Sequence, residues 1–384
     1  VALRSQTPLP LGIRDVAWPN TTGQGSSALN SRVYYPATSA GSNTPVLPRA
    51  GGWPVVVFLH GFATPGTSYG PLATAWAQRG YVVVLNNTAT FDNVGQERDG
   101  RALYSAVVAA AASGPFQAAF DLSRIGLAGH SMGGGNVANI LANNPGYRAG
   151  VALAPVTPRT NNGALVQVPM GIVVGTGDTI TPAGSNAQPY FNQFTDAVPF
   201  ATLHLLNNDC NHTNIAGLFL SGSAANAVFA RVTEVALGVL GHAMDTAPTA
   251  LEGALGDDTL QDARLVSLQQ RFALPQVWAA GELRLGRTTR WSVAAEPGLG
   301  GAAAAFALAA PVSTPVGTLR LDQGSLFLAL VGVLGAERRL DASTAVPASS
   351  SFLGLPFHLQ ALGATVSVPL LLGGVASLAV LPNQ

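Results

Sequence analysis

The sequence contains no lysine: its 19 basic residues are all arginine, and 19 Asp and Glu balance them to a formal net charge of zero. A neutral chain sets up no field that would attract a polyanion or an anionic membrane, so nucleic acid is not an expected partner. Charged residues make up 10% of the chain against an ordinary quarter, and hydrophobic residues 48%; that balance favours collapse around a large core and excludes intrinsic disorder. Cys210 is the sole cysteine, so no disulfide can form within the chain. No uninterrupted apolar run reaches the length of a bilayer-spanning helix, and no membrane span is expected.

What is present divides into two patterns. From about residue 30 to 245, short apolar, β-branched runs alternate with helix-like stretches. The runs are Trp53–Leu59, Tyr81–Leu85, Ile125–Ala128, Ala149–Leu153, Met170–Val174 and Ala201–Leu206. Helical character lies over Pro71–Arg79, Arg98–Ala112, the stretch to about Ala142, Asn186–Phe194 and Ala224–Leu240. Such alternation implies βαβ units and a mostly parallel, doubly wound sheet, an α/β fold. Leu251–Arg271 reads as polar and helix-prone, and Ala273-Leu-Pro275 ends it. After it come short alternating segments, Glu282–Leu285, Thr318–Leu321, Thr365–Val368 and Ala376–Val380, separated by Gly, Pro and Ser. The expected organisation is an α/β domain over residues 1–272 and a small all-β, sandwich-like domain over 273–384. The second has no metal motif or charged cluster; Trp278 and Trp291 are its only candidates for a carbohydrate platform. The polar stretch Asn20–Gly52 and a chain opening on Val1 instead of Met fit an exported protein with its leader removed.

The most specific local feature is Gly129-His-Ser131-Met-Gly133 between a predicted strand and a predicted helix. It fits G-x-S-x-G, in which a tight strand-to-helix turn projects the serine from the top of a sheet. A serine needs an adjacent base, and in this arrangement acid and histidine follow the serine in that order. Asp178 lies after the run Met170–Val174, in Gly175-Thr-Gly-Asp178-Thr-Ile-Thr-Pro182. His212 lies in the polar loop after Ala201–Leu206. Asp196 and Asp209 are weaker acid candidates. His204 is inside a strand, His242 follows the last long helix, His358 lies in the β-rich part, and His130 reads as a packing residue at the elbow. Two backbone N–H donors would hold an oxyanion: Met132, directly after the serine, and Phe62 in His60-Gly61-Phe62. The ring of Phe62 either lines the cleft or joins the core.

With these residues in place, the stretch from about Val33 to Leu240 resembles the bacterial cutinase and polyester-hydrolase family of α/β-hydrolases, with dienelactone-hydrolase and chlorophyllase-like relatives. The resemblance is carried by Val33-Tyr-Tyr-Pro36, His60-Gly-Phe62, Gly80-Tyr-Val-Val-Val84, Gly129-His-Ser-Met-Gly-Gly-Gly135, Gly177-Asp-Thr-Ile-Thr-Pro182 and Asn211-His-Thr213. It implies that Phe62 is an aromatic oxyanion-hole residue that also lines the cleft. It implies that Met132 is the second donor, that Ile180 forms an apolar wall, and that the cleft is shallow and open to a polymer chain. Where the family often carries Trp, this chain reads Ala154-Pro155-Val156-Thr157; Val156 cannot stack on an aromatic diacid. The family's frequent disulfide cannot form, and typical cutinases lack the β-rich extension.

The expected activity is hydrolysis of carboxylic esters by serine acyl transfer, without metal or organic cofactor. The expected substrates are polyesters such as aliphatic polyester, cutin or PET. The expected setting is outside the cell, or at its surface, as a monomer. The alternative is a carboxylesterase or lipase for small or lipid esters; no insertion that would supply a lipase lid is evident. Serine at position 131 argues against the dienelactone-hydrolase branch, which normally places cysteine there. An intact Ser, Asp and His set argues against an idle binding scaffold.

Overall fold

The computed structural model describes residues 7–244, 247–364 and 370–383. Among these, ten strands form one large mixed sheet. They are β1 (Leu11–Pro19), β2 (Ala28–Pro36), β3 (Gly41–Ser42), β4 (Trp53–Leu59), β5 (Val82–Asn86), β6 (Phe120–His130), β7 (Gly150–Leu153), β8 (Met170–Gly175), β9 (Phe200–Leu206) and β10 (Leu265–Phe272). Their spatial order is β10-β9-β8-β7-β6-β4-β5-β2-β1-β3. From β5 through β9 all neighbours are parallel, and β2, β1 and β10 join antiparallel.

The helices are α1 (Gly70–Ala77), α2 (Asn93–Ala112), α3 (Met132–Leu141), α4 (Ala187–Asn192), α5 (Gly222–Ala243), α6 (Glu252–Leu255) and α7 (Asp257–Leu260). They cover both faces. Val56 and Phe58 of β4 pack with Trp76 of α1 and Val235 of α5. Val55, Val57 and Leu59 point the other way, to Leu103 of α2 and Ile140 of α3. A strand buried on both faces must be apolar throughout, which is why the central strands read as unbroken runs of Val, Ile and Leu. Helix α5 is long and apolar enough to cross a membrane by length and composition, but 72% of its most apolar window is buried inside the protein, as in a core helix.

Three expectations are corrected. The stretch 20–52 is not simply an exposed surface: it contains β2, whose Leu29, Val33 and Tyr35 are fully buried. Leu251–Arg271 is not a helix but two single-turn helices, α6 and α7, followed by β10, which pairs with β9 from Leu265↔Leu206 to Phe272↔Phe200. Glu282–Leu285 forms no strand; its contribution is an isolated bridge, Arg284↔Leu381. Thr365–Val368 lies outside the described residues.

Beyond Phe272 the chain forms β11 (Gln276–Ala279), β12 (Thr288–Ala294), β13 (Gly298–Ala305), β14 (Leu308–Thr314), β15 (Gly317–Leu321), β16 (Phe327–Leu334), β17 (Arg339–Ala345), β18 (Pro356–Ala364) and β19 (Leu371–Ala379). These assemble as sheets β11-β12-β17 and β16-β13-β18-β19 and the hairpin β14-β15. Val277, Trp291 and Val293 of the first sheet meet Ala302, Ala304, Leu359 and Ala376 of the second in a common core. Trp278 and Trp291 are buried, their indole N–H groups donating to Glu252 and Thr344. Neither is an exposed carbohydrate platform.

Candidate active site

Strand β6 runs straight into α3 through Ser131, whose backbone sits at φ 55° and ψ −117°. A serine held at positive φ stores strain, which the surrounding contacts must impose. They are tight here. A Cβ on Gly129 would lie 2.4 Å from the Gly133 carbonyl oxygen, and one on Gly133 would lie 2.3 Å from that of Leu59. Only glycine lets the elbow close against its own helix and against β4. The Ser131 N–H donates to Leu153 and its carbonyl accepts from Gly135 and Val156, fixing the turn between β7 and α3.

Ser131 Oγ lies 3.0 Å from His212 Nε2, and His212 Nδ1 lies 2.8 Å from Asp178 Oδ2. The structure therefore brings together the three residues that motif order pairs, from the ends of β6, β8 and β9. Both loops are pinned. The Gly177 N–H donates to the Cys210 carbonyl, joining the acid loop to the histidine loop. Asn211 Oδ1 accepts from the N–H groups of Thr213 and Asn214, and Asn214 Oδ1 accepts from that of Asn211.

Asp178 is buried, which alone raises a carboxyl pKa. The His212 ring N–H and the N–H and hydroxyl of Thr181 outweigh this and hold it at about 2. Its Oδ1 accepts the backbone N–H groups of Ile180 (2.9 Å) and Thr181 (2.8 Å).

A second layer lies behind the histidine. His130 Nε2 is 2.7 Å from the His212 carbonyl, so that nitrogen donates and Nδ1 must be the acceptor. Tyr69 Oη, 2.8 Å from Nδ1, gives its proton there and accepts the Gly61 N–H, also at 2.8 Å. Burial, with the neighbouring His212 charge, pushes His130 down to about 3, so it stays neutral. His130 is thus more than a packing residue: it ties the loop of Gly61 to the backbone of His212. Its ring contacts do not place it at the serine.

Gly61 abuts the serine; a Cβ there would sit 3.3 Å from Ser131 Cβ. Among the described residues no acceptor takes the Phe62 N–H, and Met132 opens α3, where the first-turn N–H groups have no helical partner. The Phe62 ring is 57% exposed, and Ile180 is 66% exposed. Val156 is half-buried, its Cγ2 turned onto Gly135 of α3. The other acid and base candidates stand apart. Asp196 pairs with Arg271, Asp209 is exposed, His204 bonds the Ala254 carbonyl, His242 bonds Gln276, and His358 bonds Ser377. Among the described residues, no three His, Cys, Asp or Glu side chains converge as metal ligands do.

Sequence reasoning missed Thr181, Tyr69 and Phe91. Phe91, 72% exposed, meets Phe62 edge-to-face at 5.6 Å. The Asp-x-x-Thr spacing of a side chain capping its own turn was a usable pointer to Thr181; Tyr69 and Phe91 carried none.

Fold and elbow together define an α/β-hydrolase of the nucleophile-elbow type. A family model described as PET hydrolase-like matches residues 16–225, and the chain belongs to that family. Among curated proteins it is 29% identical over 175 residues to the bis(hydroxyethyl) terephthalate hydrolase of Streptomyces coelicolor, covering 46% of this chain and 53% of that protein. It is 29% identical over 174 residues to Cutinase 1 of Thermobifida cellulosilytica, covering 44% and 65%. A cutinase of Thermobifida fusca matches at 29% over 174 residues, covering 44% and 56%. The chain thus spans between half and two thirds of the length of these relatives.

Proposed function

We propose that the chain is a serine ester hydrolase of the cutinase and polyester-hydrolase type, with Ser131 as nucleophile, His212 as base and Asp178 as the acid that orients it. The observation that carries this reading is the continuous hydrogen-bonded path from Ser131 Oγ through the His212 ring to Asp178. In the first step His212 Nε2 takes the hydroxyl proton as Ser131 Oγ attacks the ester carbonyl carbon. The developing oxyanion is held by the N–H groups of Phe62 and Met132. His212 then returns the proton to the departing alcohol, leaving an acyl-serine, and water repeats the sequence to release the acid. The ionised Asp178 holds the Nδ1–H tautomer and stabilises the imidazolium.

The substrates we assign are polyesters such as aliphatic polyester, cutin or PET, received in an open cleft walled by Phe62, Val156 and Ile180. Exposure of Phe62 and Ile180 supports an apolar, uncovered binding face. Val156 in place of a stacking aromatic favours aliphatic over terephthalate-type chains. An insoluble polymer cannot enter a cell, so we place the enzyme outside it. We also divide the chain into a catalytic domain, 1–272, and a β-rich domain, 273–384. One chain supplies every residue the reaction needs, and we propose a monomer.

The test compares wild type with Ser131→Ala on p-nitrophenyl esters of rising chain length and on an aliphatic polyester film. Wild type is expected to clear the film, and the variant to lose roughly three or more orders of magnitude in kcat. Cleavage of short soluble esters alone would replace the polymer assignment with a carboxylesterase. Equal inertness of both proteins would remove the proposal.

A further inference from the structure

The hydroxyl of Thr181 touches both partners of the acid–base pair, yet the reaction as written gives it no task. Thr181 is 3% exposed. Its Oγ1 lies 2.8 Å from Asp178 Oδ2, 3.1 Å from His212 Nδ1 and 2.9 Å from the Ala154 carbonyl oxygen. With 2.8 Å between Nδ1 and Oδ2, hydroxyl, carboxylate and imidazole form a closed triangle. The Thr181 N–H and the Ile180 N–H hold the other carboxylate oxygen, so one residue grips both oxygens of Asp178.

A hydroxyl has one proton to give and two lone pairs to offer. Asp178 is the stronger of the two acceptors in reach, because a bond to an ionised oxygen is about twice as strong as one to a neutral carbonyl. The proton therefore goes to Oδ2, and a lone pair remains facing the Nδ1–H. Loop and strand lock this arrangement from both sides: Pro182 follows with its fixed φ, and Ala154 ends the segment after β7.

We propose that Thr181 is a positioning residue for ester hydrolysis, whose hydroxyl clamps Asp178 Oδ2 and thereby sets the direction and basicity of the His212 imidazole. The inference rests on the hydrolytic reading above. Without the hydroxyl, Oδ2 keeps one side-chain donor in place of two. Its charge is then less neutralised and attracts the imidazolium more strongly, so His212 becomes more basic. The carboxylate also gains freedom to turn, and Nε2 is held less well against Ser131. Substrate touches neither group, so the loss falls on kcat and not on KM.

The groups that face His212 are few. Asp178 and Thr181 come from the acid loop, Ser131 and His130 from the elbow with Tyr69 behind His130, and Cys210 from the histidine's own loop, where Asp209 is exposed. Burial keeps His130 neutral down to about 3, pushes the Cys210 thiol up to about 12, and pushes the Tyr69 phenol up from its ordinary value. None of these three changes charge in the range where an ester hydrolase is assayed.

The experiment compares the full chain with Thr181→Val and Thr181→Ser by two readouts. One is the pH dependence of kcat on a soluble p-nitrophenyl ester. The other is the titration of the downfield His212 Nδ1–H proton by NMR, which needs no substrate. Valine is expected to lower kcat about tenfold to a hundredfold with KM within about twofold. It should also move the acid limb and the NMR midpoint together to higher pH, and serine should restore both. Wild-type kcat and midpoint in the valine variant would overturn the proposal. So would a serine variant as impaired as valine with an unmoved midpoint, which assigns Thr181 to packing alone. If thermal melts show that valine unfolds the protein, Thr181→Ala takes its place in the same comparison. A wild type that cleaves no ester removes the function, while the NMR midpoint still decides the role of Thr181.

Discussion

At the scale of single residues, His130 shows how a side chain next to Ser131 can be fully committed elsewhere and still hold the candidate site together. Its two nitrogens are committed, one donating to His212 and one accepting from Tyr69. Protonation would put a second donor against the Tyr69 hydroxyl, which already accepts from Gly61. The consequence for stability has a definite sign. A free histidine, with a pKa near 6.5, takes a proton below that pH; folded His130 refuses it until about 3. Across that window the unfolded chain binds more protons, so folding stability falls as pH falls. Buried His204, held down to about 4 by burial, acts in the same direction. Tm measured from pH 7 to 4 should drop steadily. Replacing His130 with Gln, which keeps one donor and one acceptor, should flatten part of that slope, on the order of a few kcal/mol over the window; an unchanged slope would show that His130 titrates normally. Ser131, Asp178 and His212 were legible because each has a local marker: paired glycines, a strand-end Gly-Asp turn, a polar loop after a strand. Thr181 had a local pointer in its three-residue spacing from Asp178, but its reach to Ala154 and His212, 27 and 31 positions away, and that of Tyr69 to His130, 61 away, leave no mark on a single sequence.

At the scale of elements, the same physics decides what could be read. The central strands of the large sheet announce themselves because two-sided burial demands apolar residues throughout. The outlying strands β1, flanked only by β2 and the two-residue β3, and β10, at the sheet's edge, do not. β10 reads Leu-Val-Ser-Leu-Gln-Gln-Arg-Phe with one fully buried residue, Phe272. Its Gln, Arg and Leu favour helix by intrinsic propensity, and pairing with β9 overrides that preference. The helix that follows Ser131 was legible for a different reason. Its opening Met132-Gly133-Gly134-Gly135 is a poor helix former, so those glycines must answer to packing. At Gly133 the contact is backbone on backbone, since a Cβ would meet the Leu59 carbonyl at 2.3 Å. No rotamer change relieves that. Gly133→Ala should cost about 1–3 kcal/mol or more by forcing α3 away from β4. It should also lower kcat, because the serine and the Met132 N–H ride on the same turn. A melting curve and an ester assay check both, and a variant with wild-type Tm and kcat would mean that the elbow has slack it does not show here.

At the scale of the whole molecule, the question is whether the β-rich part is an appendage or a portion of the fold. The strands after Phe272 form sheets of their own, but the packing does not separate there. Trp278 of β11 and Ala294 of β12 are buried in the same cluster as Leu251, Ala254, Leu255 and Leu240. The Trp278 indole N–H donates to Glu252 of α6 at 2.8 Å. Arg290 reaches Glu252 and Asp257, and Arg339 binds Asp257 at 2.9 Å and the Leu255 carbonyl at 3.0 Å. These arginines are partly to largely buried, so their pairs are screened less than free surface bridges. This seam could not be read from sequence: Trp278 looked like a candidate ligand platform because nothing local revealed that α6 would cover it. It also predicts how the chain unfolds. Trp278→Ala empties a fully buried site and takes the indole donor from Glu252 Oε2, while Arg290 keeps the other oxygen; the cavity should cost about 3–5 kcal/mol. That loss should lower a single melting transition followed both by far-UV dichroism and by ester hydrolysis, because the two regions share one core. If the β-rich part were an independent appendage, the variant would instead show two transitions, with the hydrolytic activity surviving the first at its wild-type Tm.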